Sequence, residues 1–146
     1  MELLTQEYNS AHSDKAKISV AAKILSQRNQ KGKKELITLI LDDKSSKVRK
    51  ILFKPEYSSW DNWGITYDEY TVLLLRTIVF DPDEEIRKRA YFEVDPVFFH
   101  NGSDGCSRFN VIKVNVNKSN SMTESEKKEV INYLDTTIQD GCNGKW

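Results

Sequence analysis

The residue types that most often do chemistry in proteins are scarce in this chain of 146 residues. It has two histidines, His12 and His100, and two cysteines, Cys106 and Cys142. A structural zinc site usually needs four ligands at close spacing, and a cysteine nucleophile needs a histidine beside it. Nothing in the sequence completes either arrangement. We therefore expect no metal and no cofactor, and we interpret both thiols as reduced.

Acidic residues and glycines also give no strong sign of catalysis. Asp81, Asp83, Glu84 and Glu85 could act as acid–base groups or metal ligands. However, they fall at the predicted start of a helix, where capping and the helix dipole already account for them. The glycines of residues 101–105 precede a possible strand rather than a helix, so they do not form a phosphate-binding loop. The sequence predicts a protein that is not an enzyme.

The most informative surface is the aromatic segment, residues 57–70, in which tyrosines and acids surround Trp60 and Trp63. Aromatic residues are enriched at binding hot spots, and acids favour a basic partner. The alternative is that one or both tryptophans fill space beneath the segment, and the sequence leaves this open. The predicted partner-binding residues are Tyr57, Trp60, Asp61, Trp63, Asp68, Glu69, Asp83, Glu84 and Glu85.

The charges are unevenly distributed although the net charge is zero. Residues 1–55 hold 12 Lys/Arg against 6 Asp/Glu, whereas residues 56–105 hold 4 against 11. Such a bipolar chain can steer a charged partner, or the charges can simply solvate helix faces. The basic part contains Lys15, Lys17, Lys23, Arg28, Lys31, Lys33, Lys34, Lys47, Arg49 and Lys50.

The elements that must position these residues are mostly helices. Apolar residues recur at helical spacing in residues 14–27, 33–42, 67–79, 83–93 and from 123 to about 139. The predicted N-caps are Ser13 or Asp14 for the first of these helices, and Ser45, Thr66 and Thr123 for later ones. Pro55 should end a third helix that follows Ser45. Residues 56–66 are predicted to form a loop. The alternation of residues 109–117 predicts a short strand or extended arm.

Three segments of the chain share a weak repeat. Each begins with a polar turn residue, which a β-branched residue follows five positions later. This residue, the anchor of the repeat, is Ile18, Val48 or Ile86. A second apolar residue comes four positions after the anchor. Arg49 and Arg87 directly follow the last two anchors. In this the chain resembles the HEAT-like family, in which an Asp-containing turn is followed by Val-Arg-x-x-Ala. The resemblance covers residues 1–94 and implies about three stacked helical hairpins with a binding surface.

Size and composition fit one domain, residues 1–146, consisting of the repeat-like part and a C-terminal extension of residues 95–146. The extension is predicted to hold the short strand and a final helix. No signal peptide and no apolar run near 18 residues is present, so we expect a cytoplasmic protein without a membrane span.

Two functions follow as expectations. The first is a non-catalytic module that binds a basic protein through an acidic, aromatic region, residues 56–95. Its concrete version is an immunity protein that blocks a toxin, often a nuclease, in contact-dependent growth inhibition between bacteria; the chain is similar to that class only in general properties. The alternative is nucleic-acid binding through the basic N-terminal half, with phosphates contacted by Lys15, Lys17, Lys23, Lys47, Arg49 and Lys50.

Overall fold

The structure, a computed structural model, describes residues 2–27, 33–95 and 109–138. Within these ranges it contains nine α-helices and no strand, which confirms the mostly helical fold class. The helices are α1 Glu2–Ser10, α2 Asp14–Ser26, α3 Lys33–Leu41, α4 Ser46–Arg49, α5 Trp60–Trp63, α6 Tyr67–Phe80, α7 Glu84–Asp95, α8 Phe109–Lys118 and α9 Glu124–Tyr133. A 3₁₀ turn, Lys50–Phe53, extends α4, and a π-helical turn, Leu134–Ile138, extends α9.

Tertiary contacts divide the chain into two compact units, Met1–Tyr70 and Thr71–Trp146, with the division inside α6. A single domain over residues 1–146 and a boundary near residue 95 remain predictions.

The first unit is built from consecutive helix pairs. Helix α1 packs against α2, α3 packs against α4, and α2 also packs against α4. The apolar faces of these helices meet in a core that contains Ile24, Leu36, Ile40 and Leu52, each fully buried or nearly so. Burial of apolar side chains of this size stabilises each by about 1.5–3 kcal/mol relative to exposure. These contacts, rather than helix propensity, hold helices as short as α3 and α4.

Local signals at the helix ends act largely as predicted. The Ser13 hydroxyl caps α2 by accepting the N–H of Ala16 at 3.1 Å. Thr123 and Glu126 form a complete capping box at the start of α9. Ser45 occupies the N-cap position of α4 but makes no side-chain cap bond. Its hydroxyl donates to the carboxylate of Asp14.

Two copies of the repeated motif adopt the same local structure, one in each unit. The Asp43 carboxylate accepts the amide N–H two residues on, and the Asp81 carboxylate does the same, at 2.9 Å in both cases. The Arg49 guanidinium donates to the carbonyl of Asp43 at 2.8 Å, and Arg87 donates to that of Asp81 at 2.7 Å. The motif therefore encodes an arginine that closes the turn before its own helix.

The second unit contains the rest of α6 together with α7, α8 and α9. Helix α8 packs against α9, and both contribute to a core with Ile112, Val116, Val130 and Leu134. In the same unit, Arg76 Nε lies 3.8 Å from a carboxylate oxygen of Glu126.

Two predicted elements were wrong. Residues 109–117, predicted as a strand or extended arm, lie in helix α8. Ile112 and Val116 are buried four residues apart, whereas Val111 and Val114 are about half exposed; this is the period of a helix, not of a strand. The predicted loop over residues 56–66 contains the short helix α5.

No helix among the described residues combines the length and the apolarity that a membrane crossing requires.

Candidate functional site

The two tryptophans of the aromatic segment have opposite environments. The Trp63 side chain is fully buried, with its ring edge-on to Phe53 at 5.9 Å and to Tyr70 at 4.8 Å between centroids. Such aromatic pairs contribute about 0.5–1.5 kcal/mol beyond their area burial. Trp60 lies three residues earlier and is 46% exposed. Trp63 is thus a core residue of the first unit, and of the two only Trp60 remains available to a partner.

Helix α5 is a single turn that is capped at both ends. The Ser59 hydroxyl accepts the N–H of Asn62 at 3.0 Å. Gly64 has φ of 67°, a left-handed conformation that favours glycine, and it terminates the turn. The N–H of Ile65 then donates to the carbonyl of Trp60 at 3.1 Å. These contacts fix the backbone that carries the exposed indole.

Lys33 lies beneath this turn and is fully buried. Its ammonium donates to the carbonyl oxygen of Asn62 at 3.1 Å. Its alkyl chain touches the turn so closely that a Cβ added at Gly64 would be 2.8 Å from Lys33 Cδ. Burial lowers the pKa of Lys33, and the negative charge of Asp61 opposes that shift. By sequence, Lys33 belongs to the basic part of the chain, residues 1–55, and no local signal distinguishes it from the lysines beside it.

Two further aromatic residues of the segment reach the surface. Tyr67, the first residue of α6, is 40% exposed, and Tyr57 is half-buried. The Tyr57 backbone N–H donates to the carbonyl of Lys54 at 2.9 Å, which places the ring on a turn. The first unit therefore presents Trp60 and Tyr67 as exposed aromatic side chains, with Tyr57 partly accessible.

The acidic residues of the aromatic segment differ in their exposure and in the local contacts that they make. Asp61 is exposed, and Asp68 is half-buried. The Glu69 carboxylate lies 3.0 Å from the ammonium of Lys34, and the Glu69 N–H donates to the Thr66 hydroxyl at 3.1 Å. Of the three, Asp61 is the most accessible to a basic partner.

Asp83, Glu84 and Glu85 belong to the second unit, and local contacts account for each. The Asp83 carboxylate accepts the N–H of Glu85 at 2.8 Å and so caps α7. Glu84 pairs with Lys88 at 3.4 Å, and Glu85 pairs with Arg89 at 3.2 Å, both one turn along the helix. Exposed pairs of this kind contribute little to stability. Because these acids lie in the second unit, we treat the aromatic segment of the first unit as the candidate site on its own. A partner-binding role for Asp83, Glu84 and Glu85 remains a prediction.

Lys17 and Arg49, two of the predicted nucleic-acid-binding residues, form hydrogen bonds to Asp43. One Asp43 oxygen accepts the hydroxyl of Tyr8 at 2.7 Å and the ammonium of Lys17 at 2.9 Å, and the other accepts the N–H of Ser45. Arg49 is buried and donates to the Asp43 carbonyl. Burial would raise the pKa of Asp43, but the hydrogen bonds outweigh it and hold that pKa below its usual value. Burial and the bond to Asp43 raise the pKa of Tyr8.

The other predicted phosphate contacts are more accessible. Lys15 and Lys47 are exposed, and Lys50 is half-buried. Lys23 is also exposed, with its ammonium 3.4 Å from a carboxylate oxygen of Glu7. Because Lys17, Lys33 and Arg49 are bound internally, the basic face of the first unit is smaller than the sequence suggested. Two further basic residues, Arg28 and Lys31, lie outside the described residues.

Of the two histidines and two cysteines, one lies within the described residues. His12 is exposed, whereas His100, Cys106 and Cys142 lie outside the described residues. Within the described part of the chain, no group of three or more His, Cys, Asp or Glu side chains is arranged to hold a metal ion.

No family model, curated protein or solved structure matches the chain. The HEAT-like resemblance and the likeness to immunity proteins therefore remain predictions.

Proposed function

We propose that this protein is a non-catalytic binding module whose first unit holds a partner protein through Trp60. The observation that carries the proposal is an exposed indole on a turn whose neighbouring tryptophan, Trp63, is anchored in the core. Tryptophan is among the side chains most enriched at binding hot spots. A pre-organised turn also reduces the entropy that a partner must remove on binding.

The charge around this anchor supports a basic partner. Residues 55–75 contain Glu56, Asp61, Asp68 and Glu69 and no lysine or arginine. Asp61 is exposed directly beside Trp60 in the sequence. Complementary charge at the rim of an interface mainly raises the association rate, and this effect weakens with salt.

The concrete form of this function is an immunity protein that neutralises a toxin, for example a nuclease, delivered between competing bacteria. Such a protein would act by covering the active site or substrate groove of the toxin. Nuclease grooves carry basic residues for phosphate binding, so the acidic aromatic segment complements them. Trp60 would supply the apolar anchor and Asp61 the charge.

Affinity capture from a lysate of source cells, with and without added nuclease, tests the proposal. We expect wild type to retain a basic protein that Trp60→Ala loses by at least about tenfold, as hot-spot truncations do. Phe92→Ala is the matched control, since Phe92 is 77% exposed but lies in the second unit. Asp61→Lys should slow association, whereas Glu129→Lys, at an exposed position of α9, should not.

A partner bound equally by wild type and Trp60→Ala would count against the role of Trp60. If the retained protein is toxic or cleaves nucleic acid, co-expression with wild type should restore growth and Trp60→Ala should not. Retention of nucleic acid instead, lost in Lys15→Glu/Lys47→Glu, would favour the alternative function. Lys17 and Arg49 support that alternative less, because both are bound to Asp43.

We also propose that the helix pairs are HEAT-like repeats. The matching turns closed by Arg49 and Arg87 support this assignment. So does the packing of α1 on α2, α3 on α4 and α2 on α4 within the first unit. Repeat folds commonly present extended binding surfaces, which agrees with a binding function but does not identify the ligand.

A further inference from the structure

We propose that Lys33 is a positioning residue for Trp60, because its buried ammonium holds the end of α5 and so fixes the turn that presents the indole. Its effect on binding rests on the proposed function, in which Trp60 contacts the partner. Its effect on the turn is independent of any partner and can be measured in the free protein.

A fully buried lysine is rare because removing an ammonium from water is costly unless it is paired. Here the Lys33 ammonium donates a hydrogen bond to the backbone carbonyl of Asn62, inside α5, at 3.1 Å. The nearby carboxylate of Asp61, also in α5, favours the charged form. Both groups that stabilise the ammonium therefore belong to the turn that carries Trp60.

The turn depends on such outside support because a helix of four residues is not stable alone. The last carbonyls of any helix lack partners within it, and a cation near that end is favourable. Lys33 supplies this cation from below, while its alkyl chain packs against Gly64. Loss of the ammonium should leave the core around Trp63 in place but loosen the end of α5.

Amide hydrogen exchange of the free protein tests the proposal through Gly64 and Ile65, whose N–H groups donate to the carbonyls of Asp61 and Trp60. In Lys33→Met, these two amides should exchange at least about tenfold faster, the factor expected for the loss of a hydrogen bond to a charged group. Amides elsewhere in the first unit should change by less than about twofold.

The neighbouring lysine provides the matched control. Lys34→Met removes an ammonium that pairs with Glu69 at 3.0 Å and should leave the Gly64 and Ile65 amides unchanged. Gly64→Asn disturbs the same contact from the side of the turn. Asparagine tolerates the left-handed conformation, but its Cβ would press against the Lys33 side chain. It should accelerate the Ile65 amide locally, and it decides the matter if Lys33→Met does not fold.

Two results in the variant that folds would overturn the positioning role. One is faster exchange of all amides to the same extent, and the other is unchanged exchange at Gly64 and Ile65. With the captured partner, Lys33→Met should weaken binding by about tenfold while Lys34→Met does not. Faster exchange at α5 with unchanged affinity would also overturn it, yet loss of the partner in Trp60→Ala would leave the proposed function standing. Retention of the partner by Trp60→Ala would instead reject the proposed function, whatever Lys33 does.

Discussion

The buried carboxylate of Asp43 accepts three hydrogen bonds, from Tyr8, Lys17 and Ser45, and should therefore contribute strongly to the stability of the first unit. We predict that Asp43→Asn lowers the free energy of unfolding by about 2 kcal/mol at pH 7. The carbonyl oxygen of the new amide can still accept the Ser45 N–H, but its nitrogen replaces the oxygen that accepts from Tyr8 and Lys17. Loss of the charge-assisted Tyr8 bond costs about 1.5 kcal/mol. The Lys17 pair adds about 0.5 kcal/mol, a value reduced for its partial exposure.

Urea denaturation followed by far-UV circular dichroism measures this change. For a protein of this size, 2 kcal/mol corresponds to a decrease of roughly 1 M in the urea midpoint. Tyr8→Phe should cost about 1.5 kcal/mol, and the double variant should cost less than the sum, because the two groups share one hydrogen bond. Glu56→Gln removes an exposed carboxylate of the same unit and should change stability by less than about 0.5 kcal/mol.

Acid provides a second test of the same reasoning. The pKa of Asp43 is lower in the folded state than in the unfolded state, so its contribution is present above the unfolded pKa of about 3.9. It is lost as the pH falls through the folded pKa. The difference between wild type and Asp43→Asn should therefore shrink below about pH 4. A difference under about 0.5 kcal/mol at pH 7, or one that stays constant in acid, would refute the assigned role.

Two further predictions concern the second unit. Val116 is fully buried, whereas Val114 is 48% exposed. In a urea titration, Val116→Ala should therefore lower the free energy of unfolding by about 2 kcal/mol, and Val114→Ala by less than about 0.5 kcal/mol. Equal effects would contradict the helical assignment of α8. Burial, with the charge of nearby Tyr91, raises the pKa of Tyr133 to about 12. The folded protein then holds this proton more tightly than the unfolded chain, so stability should fall between about pH 10 and the folded pKa. Tyr133→Phe should reduce that fall in stability. If the variant loses as much stability in alkali as wild type does, the role assigned to Tyr133 is wrong.

The ends of several helices were predictable from the sequence because their signals are local. Ser13, Thr123 and Pro55 mark helix ends through groups within a few residues, and the observed bounds of α2 and α9 follow them closely. The Asp-to-Arg spacing of the repeat also reported a real local structure, the turn closed by Arg49 or Arg87. In these cases, the residues that decide the conformation are close together in the sequence.

The strand predicted for residues 109–117 shows where local patterns fail. Valine and asparagine alternate there, but the apolar positions also satisfy a helical period through Ile112 and Val116. Which period is real depends on what the segment packs against, and α8 packs against α9. Valine favours strands only weakly, and tertiary contacts override that preference.

The candidate site was predicted in outline, but its two tryptophans could not be told apart. A local signal for the turn was present, because Ser59 and Gly64 bracket residues 60–63 as the caps of one helical turn. Residues three apart are neighbours on a helix surface, so this signal gives Trp60 and Trp63 no separate environments. Only the contact of Trp63 with Phe53 and Tyr70 decides which one is buried.

The burial of Lys33 could not have been predicted, and it separates α5 from an ordinary connection between helices. A connector between α4 and α6 requires neither a buried ammonium nor a tryptophan anchored in the core. Both Lys33 and Trp63 instead hold a turn whose outward residue is Trp60. Packing alone would favour an apolar side chain at position 33, so the buried ammonium that contacts α5 supports the proposal that Lys33 positions the turn.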